Sequence, residues 1–187
     1  MNRAVGRRAE GMRARGGYTL IELIITIVIL AIAAAVMIPS MGGGAELRLR
    51  AAARTVISDI TFAQADAAAF QDTRAVQFDT AANRYTVSEM RVTGNGTNVQ
   101  FEPLYFARGP NDRFVVDIGS AGFGSTVIAS ADFDGDETLA FDELGTPVLS
   151  SDPTTTSDGG KVTLTLADAT LEVNIAPYTG RVSVTKP

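Results

Sequence analysis

Apolar and small residues fill nearly every position of the run YTLIELIITIVILAIAAAVMIPS, residues 18–40 of the 187-residue chain. A run with no polar face predicts a helix that has no side to offer water. As a helix, residues 18–38 measure roughly 31 Å at ~1.5 Å per residue, the thickness of a bilayer's hydrocarbon core. Pro39 and the triplet Gly42, Gly43 and Gly44 predict a break over residues 39–45, because proline removes a ladder hydrogen bond and glycine adds backbone freedom. Periodicity of three and four then returns at Leu49, Ala52, Val56, Ile60, Ala63, Ala67 and Phe70, with Arg50, Arg54, Asp59 and Asp66 as polar positions. That pattern predicts an amphipathic helix over residues 46–72 whose apolar stripe packs on a sheet.

From Arg74 the period becomes two. Val76 and Phe78, Tyr85 and Val87, then Phe114, Val116 and Ile118 alternate with polar or small neighbours, separated by TGNGTN and RGPNDR. Three further runs close the chain: Val162, Leu164 and Leu166; Leu171, Val173 and Ile175; Val182 and Val184. Turns at 167–169 and 177–180 make these last three an antiparallel meander. The stretch from Gly94 to Asp158 is the least patterned.

Charge adds an orientation. Residues 1–17 hold five Arg against one Glu, and the remainder holds eleven basic against twenty acidic residues. Arginines before an apolar run and none directly after it place the N-terminus in the cytoplasm and the acidic body across the membrane. The acidic body disfavours nucleic acid as a partner, since phosphate neutralisation needs dense Lys and Arg. The absence of both His and Cys removes disulfides, catalytic triads, Cys nucleophiles and histidine metal sites. No phosphate-loop or nucleophile motif appears, so no enzymatic activity is expected. A secretory signal peptide is the competing reading of the N-terminus, but the apolar stretch after Glu22 exceeds the usual length and Glu22 has no role in such a signal.

GGYTLIEL followed by LIITIVILAIAAAV resembles the cleavage and methylation signature of type IV pilins and type II secretion pseudopilins. The resemblance implies that a prepilin peptidase and N-methyltransferase cuts between Gly17 and Tyr18 and methylates the new Tyr18 amine, making residues 1–17 a cytoplasmic leader. Physics gives Glu22 a matching task. A carboxylate in hydrocarbon costs about 2.5 to 3.5 kcal/mol or more unless paired, and cleavage creates a cationic amine one helical turn away. Pairing of Glu22 with a Tyr18 amine, within a chain or between chains, would set the register of assembly. More loosely, AAARTVISDITFAQADAAAFQDTRAVQFD and the closing NIAPYTGRVSV resemble minor pseudopilins of the GspH/FimT kind.

The fold class expected is therefore α+β and pilin-like: a long N-terminal transmembrane helix (18–38), a break (39–45), an amphipathic helix (46–72) and an antiparallel β-sheet head (73–187). The expected function is that of a minor subunit of a type II secretion pseudopilus or type IV pilus, single-pass in the inner membrane with its head in the periplasm. Its partners would be the prepilin peptidase, other pilins or pseudopilins, an inner-membrane assembly platform and membrane lipid. Two alternatives stand beside it: a major, adhesive or DNA-uptake pilin, and a secreted calcium-binding β-domain. No cofactor is required. The segment DFDGDETLAFDE, residues 132–143, nevertheless fits the spacing of a twelve-residue calcium loop. Asp132, Asp134, Asp136 and Glu143 would supply carboxylates and Thr138 its carbonyl, while Glu137 replaces the glycine such loops carry at position six. Calcium loop and solvated acidic turn remain the two readings of this segment.

Overall fold

The computed structural model describes residues 17–40, 43–93, 98–107, 109–120 and 122–187, with the backbone alone at 35–40 and 43. The chain divides into two compact units at Gly42. The first holds α1, Leu20–Ser40. The leader expected at 1–17 lies outside the described residues except for Gly17.

The second unit opens with α2, Gly43–Phe70. The interruption expected over 39–45 is thus narrower, since α1 runs through Pro39 to Ser40 and α2 takes in Gly43 and Gly44. Pro39 cannot donate the ladder hydrogen bond of its own turn, and α1 ends one residue after it, while two glycines cost little in the first turn of a helix. Residues 41–42 lie outside the described residues.

The apolar stripe of α2 is buried as the spacing predicts, with Leu49, Ala52, Val56, Ile60, Ala63 and Ala67 fully covered. Phe70 is the exception at 70 % exposed. It is the last residue of the helix, beyond the sheets, and its ring lies 6.0 Å from the Arg74 guanidinium carbon, within cation–π range.

Two antiparallel sheets receive that stripe. The first joins β1 (Arg74–Asp79), β2 (Arg84–Thr93), β3 (Asn98–Pro103), β6 (Thr138–Phe141) and β7 (Pro147–Val148) in the order β3-β2-β1-β6-β7, with β4 (Val115–Asp117) also on β2. The second has the order β10-β9-β8-β5, from β5 (Val127–Phe133), β8 (Gly160–Leu166), β9 (Ala169–Ile175) and β10 (Val182–Thr185). Val76 and Phe78 of β1, Tyr85 and Val87 of β2, and the inward residues of β8 and β9 close one core with α2. Ala75, Met90, Ala140 and Val148 form a smaller cluster. β1 is central and buried at Ala75 as well as at Val76, so it lacks clean alternation at its start.

A tight turn from β5 to β6, closed by a single bridge between Phe133 and Asp136, carries the chain from one sheet to the other. It has Asp134 at φ 56° and Gly135 at φ 85°, the pair of positive angles that a two-residue type I′ turn demands and that Asp-Gly supplies. Gln64 of α2 fastens two more turns, donating from Nε2 to the Gly145 carbonyl at 2.7 Å and the Thr179 carbonyl at 3.0 Å. Close approach requires Gly180 here: a Cβ would meet that Nε2 at 2.5 Å, and its φ is 59°.

Candidate processing and assembly site

The start of α1 is built by local chemistry. Thr19 precedes the first helical residue and its Oγ1 accepts a hydrogen bond from the Glu22 N–H at 3.3 Å, while its carbonyl accepts from the Leu23 N–H at 3.2 Å. Thr19 is therefore the N-cap and Glu22 occupies the third helical position, the spacing of a capping box. A carboxylate in that first turn also faces the positive end of the helix dipole. The sequence TLIE carries this signal, and it gives Glu22 a local structural role in addition to charge pairing. Thr26, the next polar residue, donates its hydroxyl to the Leu23 carbonyl at 2.8 Å, so its own donor is satisfied within the helix.

Gly17 and Tyr18 lie outside the helix and are exposed, Tyr18 by 87 %. A bond between them is open to a protease. Every described side chain of α1 is exposed, including Leu20 at 77 % and Ile32 at 62 %. No helix among the described residues is long and apolar enough to cross a membrane. Side chains of α1 are described only to Ala34, and residues 20–34 span about 22 Å at ~1.5 Å per residue.

The family model of the prokaryotic N-terminal methylation motif matches residues 12–38. The chain carries a prepilin-type N-terminus. Two solved structures are similar over 75 % of the chain. The type IV minor pilin FimU of Pseudomonas aeruginosa (strain PAO1) is 17 % identical, with 90 % of that chain covered and a TM-score of 0.44. The minor pseudopilin EpsH from the type 2 secretion system of Vibrio cholerae is 11 % identical, with 98 % covered and a TM-score of 0.47. No curated protein sequence matches the chain. Within the prepilin-type segment, Gly17, Tyr18 and Glu22 share one short stretch, two residues outside the helix and one in its first turn.

The acidic segment is a different matter. Asp132 Oδ1 accepts from the Gly135 N–H at 2.9 Å, Asp134 Oδ1 from the Asp158 N–H at 3.2 Å, and Asp136 Oδ2 from the Ser150 hydroxyl at 2.5 Å. Each carboxylate thus serves a local donor. Thr138 opens β6 and pairs with Gln77 of β1. Glu143 follows the far end of that strand, whose four residues add about 13 Å at ~3.3 Å each. No group of three or more acidic residues converges on a metal-sized point among the described residues. The five residues expected to share a calcium ion are not brought together, because a tight turn and the strand β6 occupy the span that a calcium loop would need to wrap.

Two buried polar contacts escaped the sequence reading. The Tyr85 hydroxyl donates to Asp59 Oδ2 at 2.5 Å. Burial pushes the Asp59 carboxyl above its usual range, partly offset by that hydrogen bond, and burial followed by the Asp59 charge pushes the Tyr85 phenol upward. Arg74, buried at the start of β1, pairs through Nε with Asp66 at 2.6 Å and through Nη1 with Asp72 at 3.2 Å. Asp59 and Asp66 are thus half-buried, each turned to a partner on the sheets. Their spacing along α2 permits this, but the partner strands that give it a purpose are distant in sequence.

Proposed function

We propose that the chain is the precursor of a minor pilin-like subunit, cut between Gly17 and Tyr18 and methylated on the new amine. It is then drawn by α1 from the inner membrane into a pseudopilus or pilus, with the β-rich head outside. The observation that carries this reading is the complete methylation signature at the start of an apolar helix, with Glu22 held in the first helical turn by Thr19. After the cut only Tyr18 and Thr19 would precede the helix, so the cationic amine and the Glu22 carboxylate would lie one turn apart. Amine and carboxylate of neighbouring subunits would neutralise one another inside the apolar bundle, where an unpaired charge costs several kcal/mol. The partners under this reading are the prepilin peptidase and methyltransferase, other pilin-type subunits, an assembly platform and lipid.

Glu22→Val tests it. Cleavage and membrane insertion should persist, since the change removes a charge from an apolar run, whereas the amount of protein in sheared filament fractions should fall at least several-fold. Equal incorporation of the Val variant would reduce Glu22 to its capping role and contradict the proposal.

A further inference from the structure

The head carries opposite charges at the two edges of its second sheet. Between α2 and β10 runs an open groove of about 310 Å³ lined by Arg50, Arg54 and Lys186, with Ile57, Leu171 and Val184 as apolar surface. Arg50 shares its charge with Glu46 at 2.7 Å, but Arg54 and Lys186 have no ion-pair partner among the described residues. A basic groove is unexpected on a body with twenty acidic and eleven basic residues after position 17. At the other edge, β5 runs into the type I′ turn that exposes Asp132, Asp134, Asp136 and Glu137. The register ties the two edges together: Asp132 pairs with Lys161, Lys161 with Asn174, and Asn174 with Ser183 of β10. One cross-strand row thus links them, about 14 Å long at ~4.8 Å per strand.

We infer that the groove of one copy receives the acidic β5–β6 turn of a second copy of this chain. Charge complementarity favours this occupant, because the molecule itself supplies four exposed carboxylates on the edge opposite three basic side chains; the carboxylates accept hydrogen bonds from neutral local donors, which leaves their negative charge without a cation. The apolar lining keeps water from one side of the pairs and strengthens them. A contact between opposite edges is heterologous, so a pair of copies leaves one groove and one turn free. This deepens the reading above, on which it rests for the filament setting though not for the contact chemistry.

The chain has no cysteine, which makes the test clean. The detergent-solubilised full chain is made as Arg54→Cys and as Glu137→Cys, and the two are mixed with a short bis-maleimide. A cross-linked dimer is expected from the mixture and at least several-fold less from either variant alone. Raising salt from about 0.05 to 0.5 M should weaken it, as screening shortens the range of such pairs. Arg50→Glu with Lys186→Glu in the groove copy should abolish it, and Asp134→Lys with Asp136→Lys in the other copy should restore it, which also shows that the variants fold. Absence of the mixed dimer, or equal dimer from Arg54→Cys alone, overturns the inference. So does charge-dependent binding of the groove to phosphatidylglycerol vesicles without the mixed dimer, which would assign it to an anionic lipid. Intact mass of the same bands reports the Gly17–Tyr18 cut independently, so failure of the contact and failure of processing are distinguishable.

Discussion

Helices α1 and α2 put their apolar residues in opposite places. In α2 the apolar positions recur every three or four residues, and that one stripe is fully buried against two sheets, Leu49 to Ala67. In α1 they run all round the helix, and the described ones are exposed, from Leu20 at 77 % to Ile32 at 62 %. A buried stripe stabilises a chain that folds on itself, whereas apolar surface on every side stabilises nothing until lipid or other subunits cover it. The difference separates a helix that makes the head's core from one whose described apolar side chains stay exposed.

The comparison breaks if the two helices respond alike to the same truncation. Ile60→Ala removes a fully buried side chain and should destabilise the head by about 2–5 kcal/mol, read by denaturant unfolding. Ile24→Ala, at a position 51 % exposed, should leave that unfolding within about 0.5 kcal/mol. A large effect of the α1 change on head stability would mean that α1 belongs to the head's core.

A smaller effect sharpens the account of α2. Asp59→Asn keeps an oxygen to accept from Tyr85 but removes the charge. Because burial raises the folded carboxyl above its unfolded value, the wild type gains stability below the usual Asp range and loses it as pH rises through the raised one. Melting curves of the two proteins should therefore agree best in acid, and the wild type should fall behind as pH rises toward neutrality. A gap that closes with rising pH would contradict this.

Smallest of all is the expected effect of calcium. With Asp132, Asp134 and Asp136 serving local donors and Glu143 beyond β6, millimolar calcium should leave the head's melting temperature unchanged. A rise that Asp134→Ala abolishes would show that the turn rearranges to bind the ion, since a ligand specific to the folded state stabilises it by mass action.

What could be read from sequence follows the same division. The stripe of α2, the strands at Val76, Tyr85 and Val162–Ile175, and the closing meander were legible because burial on one face writes a period into the chain. β3, β6 and β7 were not, being short or covered on both sides, as at Leu139 and Ala140 of β6. The Asp-Gly step was read for its carboxylates, although Asp-Gly is also the signal of a type I′ turn. Asp59 and Asp66 were read only as polar positions, because a charge does not reveal its own burial when the partner, Tyr85 or Arg74, comes from another element. At the candidate site the reverse held. Gly17, Tyr18 and Glu22 could be nominated from sequence because they stand within six consecutive residues of one motif, and what the structure added was Thr19 as the cap that holds Glu22 in the first turn.

The claim on which the rest depends is the cut between Gly17 and Tyr18, and intact-mass spectrometry of the protein isolated from its native membrane tests it directly. The account predicts a chain that starts at Tyr18 and is heavier than that sequence by one methyl group. A chain that begins at Met1, or at a residue after Ala35, would contradict it.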